Sequence, residues 1–402
     1  MAVLVQKYGG TSVDGPERLR AVARRVAAAR LAGHELVVVV SAMGRTTDEL
    51  IRLAHQVSRA PSRRELDMLL TTGERVTMAL LAMALQDLEV QAISFTGSQS
   101  GILTTGDHNA ARIVDVRPDR IRAELARDQV VIVAGFQGVN PQTKEITTLG
   151  RGGSDTSAVA LAASLGGACE IYTDVSGVYS GDPRVVPAAR PIPQLSYRSC
   201  STLAHLGGRV LHARCVDLAA RARVPLTVRS SFDEQPGTRI VEDQDMEGAR
   251  VEAVTHRGDC SVVVAEGTSG ARGEARGIIA DVATAFPELE LVAHEQTAGS
   301  QGAHGALVWM GSRSDAEALQ ASFRELRGPG GEWKIGAEHD AGFVSVIGYG
   351  LGAAHVVAAE VALERAGIPL VALRVTPSAI IFRVAGDRVE PAARALHAAL
   401  LE

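Results

Sequence analysis

Apolar and polar residues follow two distinct rhythms along the first 230 positions. Continuous apolar runs at 3–6, 35–40, 90–95, 130–135, 170–173 and 226–229 predict short strands buried on both faces. Between them, segments 16–31, 65–86, 118–126 and 211–221 carry apolar residues at helical spacing, with arginine and other polar groups outward. An Ala-rich run at 159–165 predicts one more helix, opened by Ser154 and Asp155 as capping residues. Strand, glycine-bearing loop, helix and strand in succession describe right-handed parallel crossovers. This part is therefore predicted as an α/β domain with a mainly parallel central sheet between helices.

The rhythm changes near residue 230. Residues 230–248 are rich in Asp, Glu, Gln, Pro and Gly and read as a linker with one short edge strand at 239–241. Strands are predicted beyond it at 250–256, 261–265, 289–294 and 306–310, with helices at 273–286 and 314–326. A similar order returns with strands at 344–347, 370–375 and 379–384 and helices at 353–366 and 389–400. This repeat predicts two small α+β modules, 249–335 and 336–402, after a first domain at 1–229.

Composition narrows the function classes. A chain of 402 residues with 46% hydrophobic content can build two or three cores, and only 3% aromatics means that Ala, Val and Leu fill them. A net charge of -5 leaves no basic footprint for nucleic acid. The cysteines, Cys169, Cys200, Cys215 and Cys260, form no CxxC pair and suggest neither a metal site nor a disulfide framework. No apolar run reaches the roughly 18 residues of a membrane helix and no leader pattern opens the chain, so a cytoplasmic setting without a membrane partner is expected. Lysine occurs only at Lys7, Lys144 and Lys334, while the remaining basic residues are arginine. A lysine kept against such a bias is a candidate for a compact point charge.

The segment Gly150-Arg151-Gly152-Gly153-Ser154-Asp155 gathers the anion-binding chemistry. Glycines opening a helix expose backbone N–H groups at the positive end of its dipole, and Arg151 adds a bidentate donor for carboxylate or phosphate. Other motifs join it: Lys7-Tyr8-Gly9-Gly10-Thr11-Ser12, Ser41-Ala42-Met43-Gly44, Thr72-Gly73-Glu74-Arg75, Ser94-Phe95-Thr96-Gly97 and Gly135-Phe136-Gln137-Gly138. Tyr172-Thr173-Asp174-Val175-Ser176-Gly177-Val178-Tyr179 then runs into Asp182-Pro183-Arg184. In joint order and spacing the chain resembles the aspartate kinases of the amino-acid kinase superfamily, of the compact actinobacterial type, with two C-terminal ferredoxin-like ACT modules.

The resemblance implies transfer of the γ-phosphoryl of ATP, with Mg2+, to the side-chain carboxylate of L-aspartate. An ionised carboxylate needs no general base, so positioning and charge stabilisation are the work left. It further implies that Lys7 neutralises phosphate oxygens, that Gly9 and Gly10 let the backbone approach them, and that Ser12 lies near the transferred group. Thr47 and Glu74 match aspartate-contacting positions, Glu74 facing the substrate ammonium. Arg151 would clamp the α-carboxylate with Ser154 beside it and Asp155 near the helix start. Thr173, Asp174, Tyr179, Gly181, Asp182 and Arg184 match the nucleotide segment, and Arg209 stands where the family often has a nucleotide-contacting lysine. No residue can be named as a magnesium ligand.

The regulatory half departs from the family pattern. Gln296 is kept, but the customary Asn-Ile-Asp run reads Glu290-Leu291-Val292, and Gly348-Tyr349-Gly350-Leu351-Gly352-Ala353 lacks the Ser-His-Pro-Gly element. Weak or absent lysine and threonine feedback is expected, as suits a dedicated secondary pathway. ACT modules pair across chains, which implies a homodimer or larger assembly, and Met246 sits where relatives can start a regulatory-only subunit. Two other readings stay open here: a glutamate-type amino-acid kinase, and a catalytically inactive regulatory protein.

Overall fold

A valine-rich strand buried on both faces can satisfy its backbone only by pairing on both edges, and this sets the centre of the first unit. The computed structural model describes residues 3–208, 210–242, 249–268, 272–286, 289–299, 302–327 and 333–402. They divide into two units, Met1–Ser180 with Ala189–Gly248, and Gly181–Ala188 with Ala249–Glu402.

The first unit opens with β1 (Val3–Tyr8), α1 (Pro16–Leu31), β2 (Glu35–Val40), α2 (Thr46–Val57) and α3 (Arg63–Gln86). It continues through β3 (Ala92–Phe95), β4 (Ile102–Thr104), β5 (Ile113–Val116), α4 (Asp119–Leu125), β6 (Val130–Ala134), β7 (Gln137–Val139) and β8 (Ile146–Thr148). Then come α5 (Gly153–Leu165), β9 (Ala168–Thr173), β10 (Gln194–Ser196), α6 (Tyr197–His205), α7 (Ala213–Ala222), β11 (Leu226–Ser230) and β12 (Thr238–Val241). Eight strands form one sheet in the order β10-β12-β11-β9-β1-β2-β6-β3. The run from β11 to β3 is parallel throughout.

Alternate residues of these strands face opposite layers. Leu36, Val38, Val40 and Ile132 pack against Val22 and Val26 of α1 and Leu81 and Leu85 of α3. The other face meets α5, an almost wholly buried helix seated by Ser157, whose Oγ accepts the Phe136 N–H at 3.2 Å and donates to the Gly153 carbonyl at 2.9 Å. A second, four-stranded sheet has the order β5-β4-β7-β8.

Several elements differ from the sequence expectation. Strands of three or four residues in the small sheet are too short for a period to register. Helix α2 buries none of its residues fully, so its apolar positions mark no core face. The segment expected as linker contains β12, which lies inside the main sheet between β10 and β11 rather than at its edge. Among the described helices α3 alone, with 24 residues and a mean hydropathy of 1.3 in its most apolar window, has the length and composition of a membrane span, where none was expected. Half of that window is buried in the unit, and α3 also buries Asp67 and Glu74, so its apolar length serves the core.

The second unit comprises β13 (Arg250–Thr268), α8 (Arg272–Ala285), β14 (Glu290–Gly299), β15 (Gly302–Gly311), α9 (Arg313–Arg327) and β16 (Trp333–Tyr349). It ends with α10 (Ala353–Arg365), β17 (Ala372–Thr376), β18 (Ala379–Ala385) and α11 (Val389–Leu401). A single sheet, β14-β15-β13-β16-β18-β17, holds all six strands. The two strands expected at 250–256 and 261–265 are one, with register shifts around Arg257, Cys260 and Val262. Its first half pairs with the end of β16 and its second half with both β15 and the start of β16, so the expected modules share β13 and β16. Gly181–Ala188 packs within this unit, where the Arg394 guanidinium donates to the Val185 carbonyl at 3.3 Å.

Candidate active site

Ligands of open parallel sheets bind at the carboxyl ends of the strands, where successive connections depart in opposite directions. That point here lies between β1 and β9: the chain moves from β1 out to β2, β6 and β3, then returns to β9 and runs out through β11. Lys7 pairs across the sheet with Val39 and Ile171 at this edge. Its Nζ lies 2.5 Å from Asp155 Oδ1, with both side chains only 12% exposed. Asp155 was expected to cap α5; instead no side chain caps that helix, Gly152 stands at its N-cap, and the Asp155 carboxylate turns to Lys7.

Past Lys7 the chain turns through Gly9 and Gly10. A Cβ on Gly9 would lie 3.4 Å from Lys7 Nζ, and one on Gly10 2.9 Å from the Ala42 carbonyl, so the bare backbone lets these turns close over the lysine. Ser12 follows in the next turn, with 2% exposure and a buried Oγ that has no hydrogen-bond partner among the described residues.

Glu74 reaches the same place from α3. Gly73 lets the helix approach, since a Cβ there would lie 2.8 Å from Ala42 Cβ. Glu74 Oε1 accepts the Ala42 N–H at 3.1 Å, while Oε2 is buried and has no hydrogen-bond partner among the described residues. Burial pushes this carboxyl up to about 7, and hydrogen bonds from its own and the Ala42 backbone pull it down only in part. A cation against Oε2 would favour its charged form. Thr47, half-buried, sits in the first turn of α2, just beyond this loop.

Arg151 stands exposed between Gly150 and Gly152, both in the left-handed region at φ +74° and +68°. Ser154 is buried one turn on, against Gly135 at the end of β6, where a Cβ would lie 3.0 Å from its Oγ. His212 abuts the loop from the start of α7: a Cβ on Gly152 would lie 2.3 Å from its ring. Burial, then the Arg214 guanidinium, hold His212 below its ordinary value, so it is neutral beside Arg151 at neutral pH. No role for His212 was legible in the residue pattern beyond its place after Arg209.

Thr173 closes β9 beside Lys7's strand and Asp174 follows it, with Thr173 Oγ1 donating to Asp174 Oδ1 at 3.0 Å. The segment after them is clamped at its neck by Thr238, whose fully buried Oγ1 accepts the Val178 N–H at 2.8 Å and donates to the Ile192 carbonyl at 2.6 Å. Tyr179 pairs there with Pro191. Gly181, Asp182 and Arg184 fall in the part that packs with the second unit, and Arg184 grips Asp182 through Nε at 3.0 Å and a terminal nitrogen at 2.7 Å. That guanidinium holds the Asp182 carboxyl below its usual range. Arg209 lies outside the described residues. The structure thus brings together Lys7, Gly9, Gly10, Ser12, Glu74 and Asp155, flanked by the Arg151 loop and the end of β9.

Comparison with known proteins gives the class first: residues 2–230 match the amino acid kinase family. The aspartokinase of Corynebacterium glutamicum is 43% identical over 99% of this chain and 96% of its own. A solved aspartate kinase from Synechocystis is 36% identical over 99% of this chain and 69% of its own, with a TM-score of 0.56. Escherichia coli aspartokinase III in complex with aspartate and ADP matches over 100% of both chains with a TM-score of 0.83, a likeness of fold at 23% identity. The chain belongs to the amino acid kinase family and, within it, to the aspartokinases.

Proposed function

We propose that the protein is an aspartate kinase that transfers the γ-phosphoryl group of MgATP to the side-chain carboxylate of L-aspartate, giving 4-phospho-L-aspartate. The observation that carries this reading is the pairing of two unlike half-sites at one sheet edge. Lys7 is a cation held ready by Asp155, and Glu74 is a buried carboxylate with an oxygen left open. The first suits a phosphate and the second an ammonium.

Both reactants are anionic where they meet, so their repulsion is the obstacle. Lys7 and the glycine turns draw charge off the phosphoryl oxygens as the attacking carboxylate approaches, and Asp155 keeps the lysine aimed. Glu74 takes the substrate ammonium, Arg151 the α-carboxylate with Ser154 beside it, and Ser12 and Thr47 supply hydroxyls near the reacting end. The acceptor is already ionised, so no side chain is asked to remove a proton. Thr173, Asp174 and Tyr179, with Gly181, Asp182, Arg184 and Arg209, would hold the nucleotide. Among the described residues no three His, Cys, Asp or Glu side chains converge as a metal cage. Magnesium would therefore enter on the ATP phosphates, in keeping with its reluctance to shed water.

The second unit would act as tandem ACT modules that join two chains into a homodimer or larger assembly. Met246, a candidate start for a regulatory-only subunit, lies outside the described residues, as do the side chains of Glu295, Gln296 and Thr297. Glu290 pairs with Arg257 at 2.9 Å, and Val292 packs on the Cys260, Val262 and Phe343 cluster, so neither offers a free carboxylate to an effector ammonium. This supports weak lysine and threonine feedback. The reaction is placed in the cytoplasm, supplying an acyl phosphate for amino-acid biosynthesis. A hydroxamate assay with aspartate, glutamate or no acceptor tests the reading. Product with aspartate alone supports it, product with glutamate favours the glutamate-type kinase, and none with either leaves a regulatory protein.

A further inference from the structure

Asp67 lies two turns before Glu74 on α3, is wholly buried, and takes no part in the chemistry above. Its carboxylate is nonetheless full: Oδ1 accepts Thr148 Oγ1–H at 2.6 Å and the Asn109 N–H at 3.1 Å. Oδ2 lies 2.6 Å from His108 Nδ1 and 3.3 Å from the same amide. A carboxylate accepts about four such contacts, so this one is saturated rather than stranded.

The groups it gathers are the approach to Arg151. Thr148 ends β8 three residues before the arginine, and its carbonyl accepts the Ala111 N–H at 3.0 Å. Arg214 spans the same two segments, donating to the Leu149 carbonyl at 2.7 Å and the Ala111 carbonyl at 3.1 Å. Gly150 passes so near the Asn109 carbonyl that a Cβ would lie 2.9 Å from it. The 108–111 turn and the 148–150 segment therefore form one platform, fastened to α3 through the Asp67 carboxylate.

We infer that Asp67 is a positioning residue that fixes the spacing of the acceptor's two recognition points: α3 carries Glu74 directly and carries the Arg151 loop through Asp67. One rigid helix then sets the distance between ammonium and α-carboxylate recognition. The inference rests on the proposed roles of Glu74 and Arg151 toward the acceptor.

The test compares Asp67→Asn, Thr148→Val and Thr148→Ser in the full-length chain, with KM for aspartate and for MgATP measured well below each variant's melting temperature. Asp67→Asn and Thr148→Val should raise KM for aspartate about tenfold or more and leave KM for MgATP within about twofold, because displacing a binding group by even an ångström weakens its contact steeply. Thr148→Ser, which keeps the hydroxyl, should restore the parental KM. The double variant Asp67→Asn/Thr148→Val should be little worse than the poorer single one, because both loosen the one network centred on the Asp67 side chain. Variants that only melt earlier, with an unchanged ratio of the two KM values, overturn the inference, and the Thr148 pair decides the matter if Asp67→Asn does not fold. Arg151→Ala is run alongside. If it too leaves KM for aspartate unchanged, the underlying reading of Arg151 falls instead.

Discussion

Glu74→Gln removes a charge while keeping the side chain's shape and the Oε1 bond to the Ala42 amide. In the free protein burial raises this carboxyl from 4.5 to about 7, a bias toward the neutral acid of roughly 3 kcal/mol. Because the folded value lies above the unfolded one, the free protein keeps this contribution below about pH 4.5 and loses it as pH rises through about 7. An ammonium against Oε2 reverses the bias, so aspartate binds the carboxylate form and must expel a proton below pH 7. KM for aspartate should fall about tenfold per pH unit from about pH 5.5 to 7 and be flat from there to about 8.5, in initial rates at saturating MgATP. In the Glu74→Gln variant that slope should vanish. KM at pH 8 should rise by the equivalent of about 2 kcal/mol or more, at least about 30-fold, as expected for breaking a buried charge pair. The free variant should also melt above the parent at pH 8, having lost the buried charge. A parental KM that ignores pH over this range, or a Glu74→Gln variant with the parental KM, refutes the reasoning.

Lys7→Ala strips the phosphoryl site of its cation and leaves Asp155 unpaired; kcat at saturating substrates should fall about 100- to 1,000-fold, and Asp155→Asn, which keeps the lysine, should cost about tenfold. Gly152→Ala places a Cβ 2.3 Å from the His212 ring at φ +68°, and thermal melts should report a loss of about 2–4 kcal/mol. Thr238→Val orphans the Val178 N–H and the Ile192 carbonyl at the neck of the nucleotide segment. KM for MgATP should rise about tenfold while KM for aspartate holds, with Thr238→Ser close to parental. Millimolar lysine plus threonine should leave the initial rate nearly unchanged, and strong joint inhibition would show that the effector sites survive their altered residues.

The main sheet was legible because strands buried on both faces write themselves as unbroken apolar runs: 35–40 and 130–135 became β2 and β6 almost residue for residue. The small sheet was not, since Ile102–Thr104, Gln137–Val139 and Ile146–Thr148 hold three residues each, less than any period needs. In the second unit the strands expected at 250–256 and 261–265 are one irregular strand, because a register shift and a turn look alike in sequence. Lys7, Glu74 and Arg151 stood out through their motifs, but the pattern did not disclose what surrounds them. A glutamate on a helix is usually solvated, and only packing against Ala42 makes Glu74 a group titrating near neutrality. The Lys7–Asp155 pair joins residues far apart in the chain, with no short spacing to betray it. Asp67 did leave a trace, since Asp67, Thr71 and Glu74 share one helical face, yet a polar stripe reads by default as a solvated one.

Buried polar atoms in folded proteins rarely lack partners, and each that does costs about 1–3 kcal/mol. Ser12 Oγ and Glu74 Oε2 are two such atoms, reached from different elements and held at the same sheet edge. Neither can be an accident of a loose surface, since Ser12 is 2% and Glu74 3% exposed. Lys7, a few residues before Ser12, is by contrast already matched by Asp155. The difference follows from what each must meet. Lys7 is held in place by an acid of the chain itself, Asp155 at 2.5 Å. The acceptor brings its own ammonium, so a resident partner for Glu74 would only compete with it. On the proposed role of Glu74, the stability withheld there is recovered when the amino acid arrives, and discrimination for an α-ammonium is then built into the fold.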